Sequence, residues 1–105
     1  MSESAPSKPA VRNNIVLVGK KPLMNYVVAC VTSFNQGGDK VVLKARGSAI
    51  ATAVDVVQVL KRAFVKDLIV GNIVIGTEEL ERDGRKSSVS TMEISIQKPV
   101  NVPRS

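Results

Sequence analysis

Residues 14–26 read Asn14-Ile15-Val16-Leu17-Val18-Gly19-Lys20-Lys21-Pro22-Leu23-Met24-Asn25-Tyr26, a strand, a turn and a helix start in direct succession. The run 14–18 is β-branched and apolar and is closed by Gly19, which predicts a short buried strand. Pro22 suits the first turn of a helix, where a missing N–H needs no partner. From Leu23 onward the apolar residues Leu23, Tyr26, Val27, Cys30, Val31 and Phe34 follow the spacing of a single helical face. Asn35-Gln36-Gly37-Gly38 ends that helix, with glycine supplying the left-handed conformation at its C-terminus.

The pattern then repeats. Residues 40–46 predict a second strand with Val41, Val42 and Leu43 at its apolar centre, and Gly47-Ser48 turns the chain, with Ser48 a candidate N-cap. Residues 49–64 predict a second helix. Its apolar residues Ile50, Ala51, Ala53, Val54, Val56, Val57, Val59, Leu60, Ala63 and Phe64 wrap well beyond the roughly 100° stripe of a surface helix. Two arrangements explain this: a helix deeply buried in a monomer, or one that packs on its own sheet and on a second chain through Val56 and Leu60. A domain of this size has few layers, which favours the second. Residues 68–76 predict a third strand with a bulge at Gly71-Asn72. Residues 87–97 predict a fourth, alternating strand, and Asp83-Gly84 between them marks a hairpin with a charged tip. The order β-α-β-α-β-β gives an α/β two-layer sandwich, a mixed four-stranded sheet with two helices on one face.

The whole chain has 105 residues, 44% hydrophobic and 23% charged, with 15 Lys and Arg against 9 Asp and Glu. That is one domain, read as 13–98, with tails at 1–12 (carrying Lys8 and Arg12) and 99–105. No apolar run approaches the ~20 residues of a membrane span, and residues 1–14 lack the apolar core of a signal peptide. A single cysteine, Cys30, fits a reducing compartment and reads as core rather than nucleophile. Without histidine, and without a second cysteine, no zinc or iron site and no cofactor is expected, and the commonest general base is missing. Asp55 and Glu93 stand alone and form no acid–base pair, so an enzyme is the least supported class.

The net charge of +6 points to a polyanionic partner. Residues 1–66 hold ten basic and three acidic side chains, and residues 67–105 hold five and six. Lys20 and Lys21 lie between a strand end and a helix start, where backbone N–H groups add positive potential and the pair can hold a phosphate. The alternative is two solvated loop lysines. No Gly-x4-Gly-Lys-Ser/Thr motif accompanies them, so nucleotide hydrolysis is not indicated. Lys44 and Arg46 lie at the other strand-to-helix junction, two apart and so pointing one way. If the two strands are parallel neighbours, all four cations share one sheet edge. Arg82, Arg85 and Lys86 at the hairpin tip can enter a DNA groove, though Glu78, Glu79, Glu81 and Asp83 oppose broad phosphate contact. Three aromatic residues, all on helices, make a poor platform for unpaired bases.

These residues resemble the Alba family of archaeal chromatin proteins. The resemblance rests on residues 16–26, with their Lys-Lys-Pro-x-Met-Asn-Tyr motif, on Asn35-Gln36-Gly37, on Lys44-Ala45-Arg46-Gly47-Ser48-Ala49-Ile50, and on Asp83-Gly84-Arg85 with residues 88–94. It spans 14–98 without long gaps. It implies a fold like the C-terminal domain of bacterial translation initiation factor three. It also implies a homodimer, or a heterodimer with a paralogue, that coats and compacts double-stranded DNA with little sequence preference. RNA is the alternative ligand. Phosphate contacts fall to Lys20, Lys21 and Arg46, acetylation by an acetyltransferase (reversed by a deacetylase) to Lys20, and contacts between neighbouring dimers to Phe64. The stretch 82–86 corresponds to a minor-groove arm. Ser48 and Ser88 stand where many relatives carry a basic residue. The implied location is the cytoplasm, on the chromosome.

Overall fold

A computed structural model describes residues 11–12 and 14–99; the expected tails at 1–12 and 99–105 otherwise lie outside the described residues. The elements are β1 (Val11–Arg12), β2 (Ile15–Leu17), α1 (Leu23–Asn35), β3 (Lys40–Arg46), α2 (Ala49–Val59) with a terminal π turn (Leu60–Phe64), β4 (Ile69–Arg82) and β5 (Arg85–Gln97). The sheet order is β1-β2-β3-β5-β4. Its four principal strands form the mixed sheet expected, with β2 parallel to β3 and the other main pairs antiparallel. The short β1 is an addition. Read as the end of a tail, Val11 and Arg12 instead pair antiparallel with Val16 and Ile15 and occupy main-chain groups that the outer edge of β2 would leave open. The reversal between them places Asn14 at φ 65°, a conformation that asparagine tolerates better than most residues.

The core lies between the sheet and the two helices. Along β3 the burial alternates, with Val41, Leu43 and Ala45 facing the helices and Lys40, Val42, Lys44 and Arg46 on the opposite, open face. Tyr26, Val27, Cys30 and Phe34 of α1 close onto that core as their spacing predicts. α1 ends in two bonds, Gly37 N–H to the Phe34 carbonyl and Gly38 N–H to the Ser33 carbonyl, and Gly37 takes φ 96° to make them. Burial pushes the Cys30 thiol up to about 12, so it stays protonated and serves as packing.

Three local expectations change. Pro22 precedes α1 as its N-cap instead of occupying the first turn, a shift of one residue. Ser48 makes no side-chain cap bond; α2 begins behind a turn in which Ile50 N–H reaches the Gly47 carbonyl. The second helix does not stay α-helical to residue 64, because its last turn widens and Val65 N–H bonds the Leu60 carbonyl at 2.6 Å. This turn keeps Leu60 fully buried and leaves Phe64 exposed.

The bulge at Gly71-Asn72 is present: Val70 pairs with Ile96 and Ile73 with Ile94, so two residues oppose Ser95 alone. The hairpin is longer than the sequence patterning indicates. Asp83 at φ 55° and Gly84 at φ 76° form a two-residue turn whose twist matches the strands, so pairing runs to Arg82 opposite Arg85. The last rung shared with β3 is Arg46 opposite Thr91. Beyond it β4 and β5 continue alone as an arm, roughly 20 Å at about 3.4 Å per residue. The radius of gyration, 15.3 Å, exceeds the ~13 Å of a compact domain of this length, as a projecting arm requires.

Candidate nucleic-acid interface

The parallel register brings the two strand-to-helix junctions to one end of the sheet. Leu17 pairs with Lys44, and Val18 N–H donates to the Lys44 carbonyl at 2.8 Å, so the Lys20-Lys21 loop leaves the sheet beside the last residues of β3. Both helices start at this end. Neither α1 nor α2 has an acidic residue in its first turn, so the positive ends of their dipoles are not offset locally. Lys20 and Lys21 are exposed.

The loop is held from beneath. The hydroxyl of Tyr26, a residue 2% exposed, accepts hydrogen bonds from the backbone N–H groups of Gly19 and Lys21, both at 2.9 Å. One oxygen thus holds the N–H groups of the residues on either side of Lys20, while Lys20 itself is exposed. The spacing of Tyr26 on the apolar face predicts its burial; the polar task of its hydroxyl has no signature in periodicity.

Lys44 and Arg46 do share a face, but neither stands alone. Lys44 Nζ lies 3.5 Å from Glu93, which is directly opposite it in register. Arg46 donates to the Glu78 carboxylate at 2.8 Å, across β5 and onto the base of the arm. All four side chains are close to half exposed. The cross-strand register, which composition does not reveal, is what pairs these acids with these cations. At the tip, alternation puts Arg82 and Arg85 on the same face as Lys44 and Arg46, whereas Lys86, opposite Glu81, is on the other. Among the described residues no three His, Cys, Asp or Glu side chains come together as a metal site.

The helix residues read as an interface separate into two kinds. Val56 and Leu60 are 0% exposed within the single chain: they belong to its own core and are not available to a partner. The helix wraps apolar residues so widely because α1 and the sheet both pack on it. Phe64 is 51% exposed and lies at the rim of a cleft of about 230 Å³ lined in part by Val31, Phe34, Asn35 and Lys98, at the end of the sheet opposite Lys20. The exposed apolar surface that the sequence reading missed is on β4. α2 lies over β3 and β5 and leaves this edge strand uncovered, with Val70, Ile73 and Ile75 on its helix-side face and Val74 on the other.

Replacing Tyr26 by Phe removes the shared acceptor and strands two N–H groups. The expected result is a loss of about 1–3 kcal/mol in denaturant unfolding, with faster amide exchange at Gly19 and Lys21. Unchanged stability and exchange would show that the hydroxyl does not hold the loop.

The family model for Alba matches residues 14–77. A protein from Methanocella arvoryzae named DNA/RNA-binding protein Alba is 47% identical over 88 residues, covering 83% of this chain and 92% of its own. Among solved structures, Alba from Thermoplasma volcanium superposes with a TM-score of 0.77 at 44% identity, covering 81% of this chain and 100% of its own. ALBA1 from Trypanosoma brucei gives 0.69 at 26% identity, covering 87% and 74%. With the motifs of its first junction and the sheet order both in place, the chain belongs to the Alba family.

Proposed function

We propose that this chain binds duplex DNA through its phosphates, without reading sequence, and coats and compacts it as a chromosome-associated protein. The observation that carries this reading is the gathering, at one sheet end, of Lys20, Lys21, both helix N-termini and Arg46, with an arm that ends in Arg82, Arg85 and Lys86. Point charges and backbone dipoles suit phosphate, and each contact releases condensed counterions. The two most buried aromatic rings, Tyr26 and Phe34, are 2% and 3% exposed, so they offer no stacking surface to unpaired bases. Structured RNA is the second reading, since it presents the same phosphates and the Methanocella relative is named for both nucleic acids. Family membership makes the chain a binding protein and not an enzyme. No helix among the described residues is long and apolar enough to cross a membrane.

The dimer in this proposal forms on β4. An edge strand with Ile73 55% and Ile75 73% exposed is a ready template for association, and a second copy covers it at least cost in exposed apolar surface. A paralogue with the same edge would serve equally. To Phe64, half exposed at the far end, the same reading assigns contacts between neighbouring dimers. Acetylation of Lys20 would remove one cation from the loop and so weaken binding, which makes an acetyltransferase and a deacetylase candidate regulators.

Duplex DNA and a structured RNA titrated in parallel over a range of salt test the ligand. The expected log–log slope on duplex is about −0.9 per phosphate contact, and Lys20→Gln should weaken binding and flatten the slope by roughly one contact per protomer. Equal affinity of Lys20→Gln and parent at every salt concentration would defeat the reading; tighter binding of the RNA would select the second one. For the dimer, Ile75→Glu should halve the mass seen by light scattering while the circular dichroism is retained. A folded variant of unchanged mass would place the interface elsewhere.

A further inference from the structure

Arg46 is the cation with the strongest claim on a phosphate from the body of the sheet, yet in the free protein its guanidinium already has an anionic partner. Glu78 receives its hydrogen bond at 2.8 Å, and both side chains are about half exposed. The pair is therefore open to exchange: a partner at the surface is held only weakly, and another oxyanion can replace it. Glu78 lies two residues beyond Gly76, whose rung with Thr91 is the last one shared with β3, so it sits at the base of the arm. A backbone running from the body toward the arm tip would pass over it.

Resting on the nucleic-acid reading above, we propose that Glu78 is a built-in competitor for Arg46, a carboxylate that a nucleic-acid phosphate must displace and that thereby sets the affinity below what the cations alone would give. Its neighbour on the same strand makes the contrast. Glu79 carries the same charge but alternates to the helix-side face, opposite Ser88, away from Arg46. The Lys44–Glu93 pair, at 3.5 Å and without a hydrogen bond, is a looser version of the same arrangement. An acid hydrogen-bonded to the binding arginine is a specific brake, whereas an acid on the other face only lowers net charge.

The test uses the full chain and a random-sequence DNA duplex, with affinity measured by fluorescence anisotropy at fixed salt. Glu78→Gln is near-isosteric and exposed, so its thermal midpoint should stay close to the parent's. Its affinity should rise roughly two- to five-fold, the range an exposed ion pair supports. Glu79→Gln should give a clearly smaller gain. In an Arg46→Gln background the Glu78→Gln gain should shrink to the small gain of Glu79→Gln, because no guanidinium is left to release and only the lowered negative charge remains. Three results would overturn the proposal: Glu78→Gln binding as the parent does, Glu79→Gln matching its gain, or the Glu78→Gln gain persisting undiminished without Arg46. A parent that binds neither duplex nor structured RNA would instead overturn the reading on which this one rests.

Discussion

Three parallel rungs between β2 and β3, Ile15 with Val42, Val16 with Leu43 and Leu17 with Lys44, govern where every functional group lies. Parallel strands require a crossover, and here α1 supplies it. Both strands then end at the same edge, and the helix that follows each one starts there. Had β2 run antiparallel to β3, the Lys20-Lys21 loop and Arg46 would sit at opposite ends of the sheet. The apolar residues Val16, Leu43, Val27 and Cys30, all fully buried, enforce the pairing. Slipping the register by one residue would turn Lys44 toward the helices and Leu43 toward water.

On that scaffold the electrostatics divide into parts of different character. The loop is rigid beneath and free above: Tyr26 fixes its peptides, while Lys20 and Lys21 project outward. On the open sheet face Glu93 and Glu78 stand beside Lys44 and Arg46 and offset these two cations. The arm carries acids along its length and arginines at its end. The overall charge of +6 therefore overstates the cationic surface that a polyanion meets at this end of the sheet. Where the charges sit, and what already touches them, decides more than their sum.

Much of this was legible in the residues. Gly37 as a helix terminator, the Gly71-Asn72 bulge and the Asp83-Gly84 turn each follow from local conformational preference, strand β3 from its apolar centre at Val41, Val42 and Leu43, and strand β5 from its alternation. The second helix was misleading for a physical reason. Apolar breadth signals how much of a helix is buried, not by what, and α1 together with the sheet buries Val56 and Leu60 without any partner. The uncovered β4 edge escaped notice because exposure of a strand depends on which element lies over it. Arg46–Glu78 spans a strand, and Tyr26 acts through an oxygen; neither leaves a trace in periodicity.

The central claim is that one end of the sheet, with the arm, receives the sugar-phosphate backbone. Backbone amide shifts of isotope-labelled protein, recorded as a short DNA duplex is added, test it most directly. The account predicts the largest changes at Gly19 to Leu23 (excepting Pro22, which has no N–H), at Arg46 to Ala49 and at Arg82 to Lys86. Changes confined to the far end, around Phe64, Lys66 and Lys98, with the Lys20 loop unmoved, would contradict it.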